Sequence, residues 1–159
     1  MLAGEICNRD VVIVRPDETV VDAAKLMRKH HVGAVVVVSE QDGRRVPAGM
    51  LTDRDIVVEV IAEDVDLGIV NIGDVMSRDL LAVRESDNVA DVLGLMQKKG
   101  VRRVPVVNDD GGLEGILALD DLLDLFAEQF ANIRALISGE LKKEAARRDP
   151  SLAGNSTLQ

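Results

Sequence analysis

Two rhythms of apolar residues alternate along the chain, and the alternation comes round twice. Residues 6–15, rising into Val11, Val12, Ile13 and Val14, predict a short strand after a turn. Pro16, Asp17, Glu18 and Thr19 then introduce a helix. Thr19 stands as its N-cap, Val20, Ala23, Ala24 and Met27 follow at helical spacing, and His30 and His31 close it. The run from Val32 through Gly33 and Ala34 to Val38 is almost wholly β-branched, which predicts a buried strand. Asp42 and Gly43 mark a turn, residues 46–51 the next strand, and Thr52 the start of a second helix reaching about Ala62.

The second half repeats this order. Arg9 and Asp10 recur 69 residues on as Arg78 and Asp79, and the same offset carries Asp22 to Asp91, Met27 to Met96, Val32 to Val101 and Val38 to Val107. At the following junction the offset is 66, with Gly49 answering to Gly115, so the first hairpin is three residues longer. A register kept over that length is an internal duplication of a β-α-β-β-α unit. The fold class is therefore α/β (α+β), with two repeats related by a pseudo-two-fold axis. Neither half is comfortable alone, and stacking the two sheets face to face would bury one shared core. That leaves two symmetry-related clefts between the repeats as ligand sites. The expected division is repeat 1 over 1–64, a linker over 65–72, repeat 2 over 73–130, a helical extension over 131–149 and a polar, disordered tail over 150–159. Leu122, Phe126, Phe130, Ile133, Ile137 and Leu141 predict one long amphipathic helix, or two, whose apolar stripe needs something to pack on.

Composition narrows the function. Hydrophobic residues make up 47% of the chain and aromatics 1%, with two Phe and no Trp or Tyr, so the core is aliphatic and base-stacking platforms are nearly absent. A net charge of −9 argues against a nucleic-acid backbone as partner, but leaves room for a small phosphorylated ligand held by a few local cations. The single cysteine, Cys7, excludes an internal disulfide and is expected to pack near the first strand. No apolar run is long enough to span a membrane, and residues 1–9 do not read as a signal peptide; a cytoplasmic protein is expected. No Ser-His-Asp, Cys-His, metal-ligand, Walker or dinucleotide pattern occurs, so the chain does not read as an enzyme or a metal binder. Adjacent His30 and His31 read as polar helix termination.

The chemistry concentrates at Gly49, Met50, Leu51, Thr52, Asp53, Arg54 and Asp55, where a strand runs into a helix. Its echo is Gly115 to Asp121, with Ala118 where the hydroxyl was. Thr52 and Asp55 at this spacing make a capping box by themselves. With the Gly73 to Asp79 opening and the Val101, Arg102, Arg103, Val104, Pro105, Val106 and Val107 strand, the junction resembles the cystathionine-β-synthase (CBS) domain. Two in tandem look like a Bateman module over roughly 6–126.

That resemblance implies a regulatory module binding AMP, ADP, ATP or S-adenosylmethionine between the repeats. It also implies pairing of modules into flat four-repeat discs, hence a homodimer, and a regulated protein partner. In such modules each cleft is composite. Thr52, Arg54 and Asp55 would share one cleft with Leu81, Val101, Arg102 and Arg103. Asp55 would accept a ribose cis-diol, and Thr52 would face ribose or phosphate while also capping. Arg102 and Arg103 are either surface charges or, as ligand residues, one grips phosphate and the other covers the sugar or base. Neighbours on a strand leave on opposite faces unless the strand is just beginning. The second cleft would combine Val12, Val32, Gly33 and Ala34 with Ala118 and Asp121, keeping a carboxylate but no hydroxyl or cation. A ligand-free dimerisation module is the alternative reading.

Overall fold

A computed structural model describes residues 1–148; residues 149–159, which contain the expected tail, lie outside the described residues. The chain divides into two units, Met1–Leu119 and the segment from Asp120 onward. In the first unit, the first repeat runs α1 (Ala3–Ile6), β1 (Ile13–Val14), α2 (Val20–His30), β2 (Ala34–Gln41), β3 (Arg44–Thr52), α3 (Asp53–Asp55) and a π-helix (Ile56–Ile61). The second runs α4 (Ile72–Val75), β4 (Val83–Arg84), α5 (Val89–Lys99), β5 (Arg103–Val107) and β6 (Leu113–Ala118), before α6 (Leu119–Arg148).

Each repeat builds a three-stranded sheet in chain order, parallel between its first two strands and antiparallel between its last two. The mixed pattern follows from the linkers, because β1 and β2 are joined across α2 while β2 and β3 are joined by a hairpin. The helices begin where the hydroxyl and amide residues stand. Thr19 Oγ1 accepts the Asp22 amide at 3.1 Å, and Asn88 Oδ1 accepts the Ala90 amide at 2.9 Å. They end on left-handed residues, His31 at φ 55° and Gly100 at φ 72°.

Several sequence expectations need correction. The short strand expected within residues 6–15 is confined to Ile13 and Val14, which pair with β2, and a helical turn not foreseen, α1, ends at Ile6. The reason is tertiary, since the leading segment bonds to the other repeat. Ala3 N–H donates to Asp87 O at 2.8 Å, Gly4 N–H to Glu85 O at 2.9 Å, and Asn8 bridges Ile116. The second repeat does the same in return. Ile72 N–H donates to Glu18 O and Gly73 N–H to Pro16 O, both at 2.8 Å, and Ser77 bridges Met50. Cys7 accordingly lies against Gly115 of β6, not by the first strand. The strand predicted over 32–38 starts at Ala34 and runs to Gln41, paired to a β3 that starts at Arg44, because the longer hairpin extends the ladder. The helix expected from Thr52 to about Ala62 is a three-residue α turn that widens into the π-helix, with Ala62 N–H bonded to Val57 O at 2.9 Å. The C-terminal pattern is a single helix, α6.

Sharing of the core runs through these exchanged segments. One buried cluster joins Val14, Val20, Ala23, Val35, Val37, Leu51 and Val60 of the first repeat to Val70, Ile72 and Met76 of the second repeat's leading segment. The two sheets meet where β3 contacts β6. Each hairpin sheet carries a bulge at the same place, opposite Val37/Val38 and Val106/Val107. Beside it a glycine admits the other repeat: a Cβ on Gly49 would stand 2.6 Å from Ser77 O, and one on Gly115 would stand 2.6 Å from Cys7 Sγ.

Candidate functional site

Where β3 turns into α3, the last strand residue caps the helix. Thr52 Oγ1 accepts the Asp55 amide at 3.1 Å, and Asp55 Oδ2 accepts the Thr52 amide at 2.8 Å. The capping box is thus fully formed. A carboxylate has about four acceptor positions and this bond uses one, so capping leaves Asp55 able to accept more. Asp53, next to it, donates its amide to Gly33 O at 3.0 Å, while its Oδ1 accepts the Arg54 amide at 2.8 Å.

This junction forms one wall of a cavity of about 460 Å³, lined from the first repeat by Met50, Thr52, Asp53, Arg54 and Asp55. The other wall comes from the second repeat: Ser77, Asp79, Leu80, Leu81, Gly100, Val101, Arg102 and Arg103. The Met50–Ser77 bridge, with amide bonds of 3.1 and 2.9 Å, joins the walls. Thr52, Arg54, Asp55, Leu81, Val101, Arg102 and Arg103 are therefore brought together around one opening. Arg102 and Arg103 both reach it because β5 begins only at Arg103, so strand alternation has not yet set in.

Six further lining residues were not among the expected site residues: Met50, Asp53, Ser77, Asp79, Leu80 and Gly100. Ser77 and Asp79 belong to the repeated opening, and Gly100 is the helix terminator before Val101, so their signals were present but structural in kind. Asp79 is ion-paired to Lys99. The lining carboxylates Asp53, Asp55 and Asp79 are thus set against Arg54, Arg102 and Arg103, with Lys99 offsetting Asp79. Size and lining suit a small molecule with an apolar part against Leu80, Leu81 and Val101 and a polar part between carboxylates and guanidiniums.

The residues of the expected second cleft are placed as follows. Val12 O accepts the Val36 amide at 3.0 Å, and Gly33 leaves room for Asp53, whose Oδ2 would be 3.1 Å from a Cβ there. Val32 ends the turn after α2 with its amide on Met27 O, and Ala34 pairs with Thr52. Ala118 pairs with Arg103, and Asp121 lies in the first turn of α6, in the unit that begins at Asp120.

Elsewhere the titratable groups serve structure. The Arg9 guanidinium, bonded to Glu85 at 2.7 Å and paired with Glu114 at 3.3 Å, is held above its usual range chiefly by the Glu85 hydrogen bond. Burial pushes the Cys7 thiol up, with the Arg9 guanidinium pulling the other way. Among the described residues no cluster of three or more His, Cys, Asp or Glu side chains could hold a metal, and no helix is long and apolar enough to cross a membrane.

A family model for the CBS domain matches residues 3–62 and 72–128. An uncharacterized protein of Methanopyrus kandleri is 39% identical over 140 residues, spanning 88% of this chain and 68% of its own. Among solved structures, hypoxic response protein I with two coordinated zinc ions, a Mycobacterium tuberculosis protein, superposes with a TM-score of 0.68 at 33% identity, over 78% of this chain and 98% of its own. The CBS domain pair of protein MJ0100, in complex with 5′-methylthioadenosine and S-adenosyl-L-methionine, gives a TM-score of 0.71 at 25% identity, over 81% and 98%. The matched repeats, the exchanged leading segments and the composite cleft agree: the chain belongs to the CBS domain family, as a tandem pair.

Proposed function

We propose that the chain is a cytoplasmic regulatory module that senses an adenosine-containing ligand, an adenine nucleotide or S-adenosylmethionine, and modulates a partner protein. The observation that supports this reading is the composite cleft, where Thr52 and Asp55 of one repeat face Arg102 and Arg103 of the other around about 460 Å³. Asp55 accepts the ribose hydroxyls while its amide stays on Thr52; Arg102 and Arg103 hold phosphate or cover the sugar. Leu81 and Val101 flank the base, with Arg54 at the rim. The ligands carried by the MJ0100 pair support the adenosine class. The module works without catalysis, as two copies, with repeats over 1–64 and 73–130.

The junction of the second repeat offers Asp121 but Ala118 in place of the hydroxyl, and Val12, Val32, Gly33 and Ala34 supply no cation. One dominant site per chain follows. A ligand-free pairing module is the second reading, favoured by the exposure of Phe130, Ile133 and Leu141 on α6. Thermal unfolding against AMP, ADP, ATP, S-adenosylmethionine and adenosine separates the two. A ligand at 100 times its dissociation constant adds about 2.7 kcal/mol, whereas no shift with any of the panel supports the pairing module.

A further inference from the structure

The 30-residue helix α6 buries one side chain, Leu122, among its large apolar residues, while Phe126, Phe130, Ile133, Ile137 and Leu141 are 38%, 71%, 53%, 55% and 62% exposed. A helix of this kind draws its stability mainly from packing an apolar face, so such a stripe calls for a cover. Its spacing is specific. Leu122 and Ile133, Phe126 and Ile137, and Phe130 and Leu141 are each eleven residues apart. An eleven-residue period, about 3.67 residues per turn, keeps one straight seam with a slight right-handed supercoil; a seven-residue period would wind it left-handed.

Charge along the helix says what the cover is. Asp120, Asp121, Asp124 and Glu128 precede Arg134 with no Lys or Arg among them. From Arg134 onward stand Lys142, Lys143, Arg147 and Arg148 against Glu140 and Glu144. The helix dipole accounts for charges in the first and last turns only. Asp124, Glu128 and Lys142 lie beyond them. A surface that is acidic in one half and basic in the other is complementary to itself when turned end for end, which is the demand of an isologous two-fold contact.

We propose that α6 is an interface in which two copies of this chain pair their helices antiparallel, with the stripe as the seam and each acidic half on the other's basic half. The inference rests on the pairing of two copies proposed above and not on what occupies the cleft. Three variants in a Cys7→Ser background test it: two single-cysteine variants read by disulfide capture under mild oxidation, and a double glutamate variant read by light scattering. Antiparallel pairing centred near Ile133 brings that position opposite its own copy, so Ile133→Cys cross-links to a covalent dimer while Leu141→Cys does not. Phe130→Glu with Ile137→Glu, at exposed positions, converts the dimer to monomer at micromolar concentration. Self-capture by Leu141→Cys overturns the antiparallel arrangement. A dimer that survives the double glutamate variant overturns the role of α6 while leaving pairing itself intact, and a monomeric parent chain overturns both. Titration of AMP into the same variants reports on the cleft separately.

Discussion

The two strand-to-helix junctions descend from one pattern, yet they do different things. At the first, Thr52 and Asp55 cap each other, the α turn lasts three residues, and the chain widens into the π-helix Ile56–Ile61. At the second, Ala118 has no hydroxyl, and the chain passes straight into a 30-residue α-helix. π-turns interrupt the regular α-helical hydrogen bonding and are frequent at functional sites. Here the π-helix follows directly on Asp55, the residue proposed to hold the ligand. By contrast, the glycine-and-bulge device at Gly49 and Gly115 is the same in both repeats, because both must admit the partner's leading segment. Shared features hold the fold; the unshared ones fall at the cleft proposed to take the ligand.

The sharpest way to break this contrast is to remove one carboxylate at a time. Asp55→Asn keeps an oxygen for the Thr52 amide but loses the charge, and with about 1.5–3 kcal/mol per charge-assisted bond the affinity for AMP falls roughly a hundredfold if both ribose hydroxyls are weakened. Asp121→Asn leaves binding unchanged. Isothermal titration decides, and the reverse result would move the working site to the other junction. Arg102→Ala and Arg103→Ala belong to the same experiment, with a greater loss for AMP than for adenosine.

The shared device is tested by stability. Gly49→Ala and Gly115→Ala each destabilise by about 1–3 kcal/mol, the usual range for overpacking, read as lower urea midpoints. Gly49→Ala costs more, since its nearest obstacle is the Ser77 backbone oxygen, while Gly115→Ala meets the Cys7 side chain and is partly relieved by Cys7→Ala. Gly94→Ala, with nothing within 4 Å, goes the other way and stabilises α5 by about 0.5–1 kcal/mol.

Smaller still is the cap. Thr52→Ala costs about 1 kcal/mol of stability by the loss of the hydroxyl acceptor. The smallest effect separates the two repeats by pH. In α2 the Thr19 hydroxyl donates to Asp22 at 2.7 Å and holds that carboxyl below its usual range. Its contribution is present above the ordinary carboxylate pKa, near about 3.9, and is lost as pH falls through the lowered value. At the corresponding cap of α5, Asn88 has no hydroxyl to donate. Thr19→Ala therefore flattens the acid limb of the stability profile slightly, and Asn88→Ala does not.

Sequence alone determined the repeat and the order of its main elements, because the in-register duplication is written in the chain. That Thr52 and Asp55 meet Arg102 and Arg103 was implied by the family resemblance, since no local pattern says which faces of two repeats come together. Helix N-caps at Thr19 and Thr52 were legible in the chain too: a hydroxyl satisfies an amide three residues away wherever the helix ends up. Tertiary structure decided what depends on residues far apart. The leading segments look like strand starts, but each leaves its own sheet for the other repeat, where backbone bonds such as Gly4 to Glu85 satisfy its amides. Cys7 followed its segment to Gly115 for that reason. Likewise only the crossing of two backbones makes Met50, Ser77 and Gly100 walls of the cleft. A local rule can place a side chain on a face; which other face it meets is settled by packing, where hydrogen bonds and excluded volume from both halves must be satisfied together.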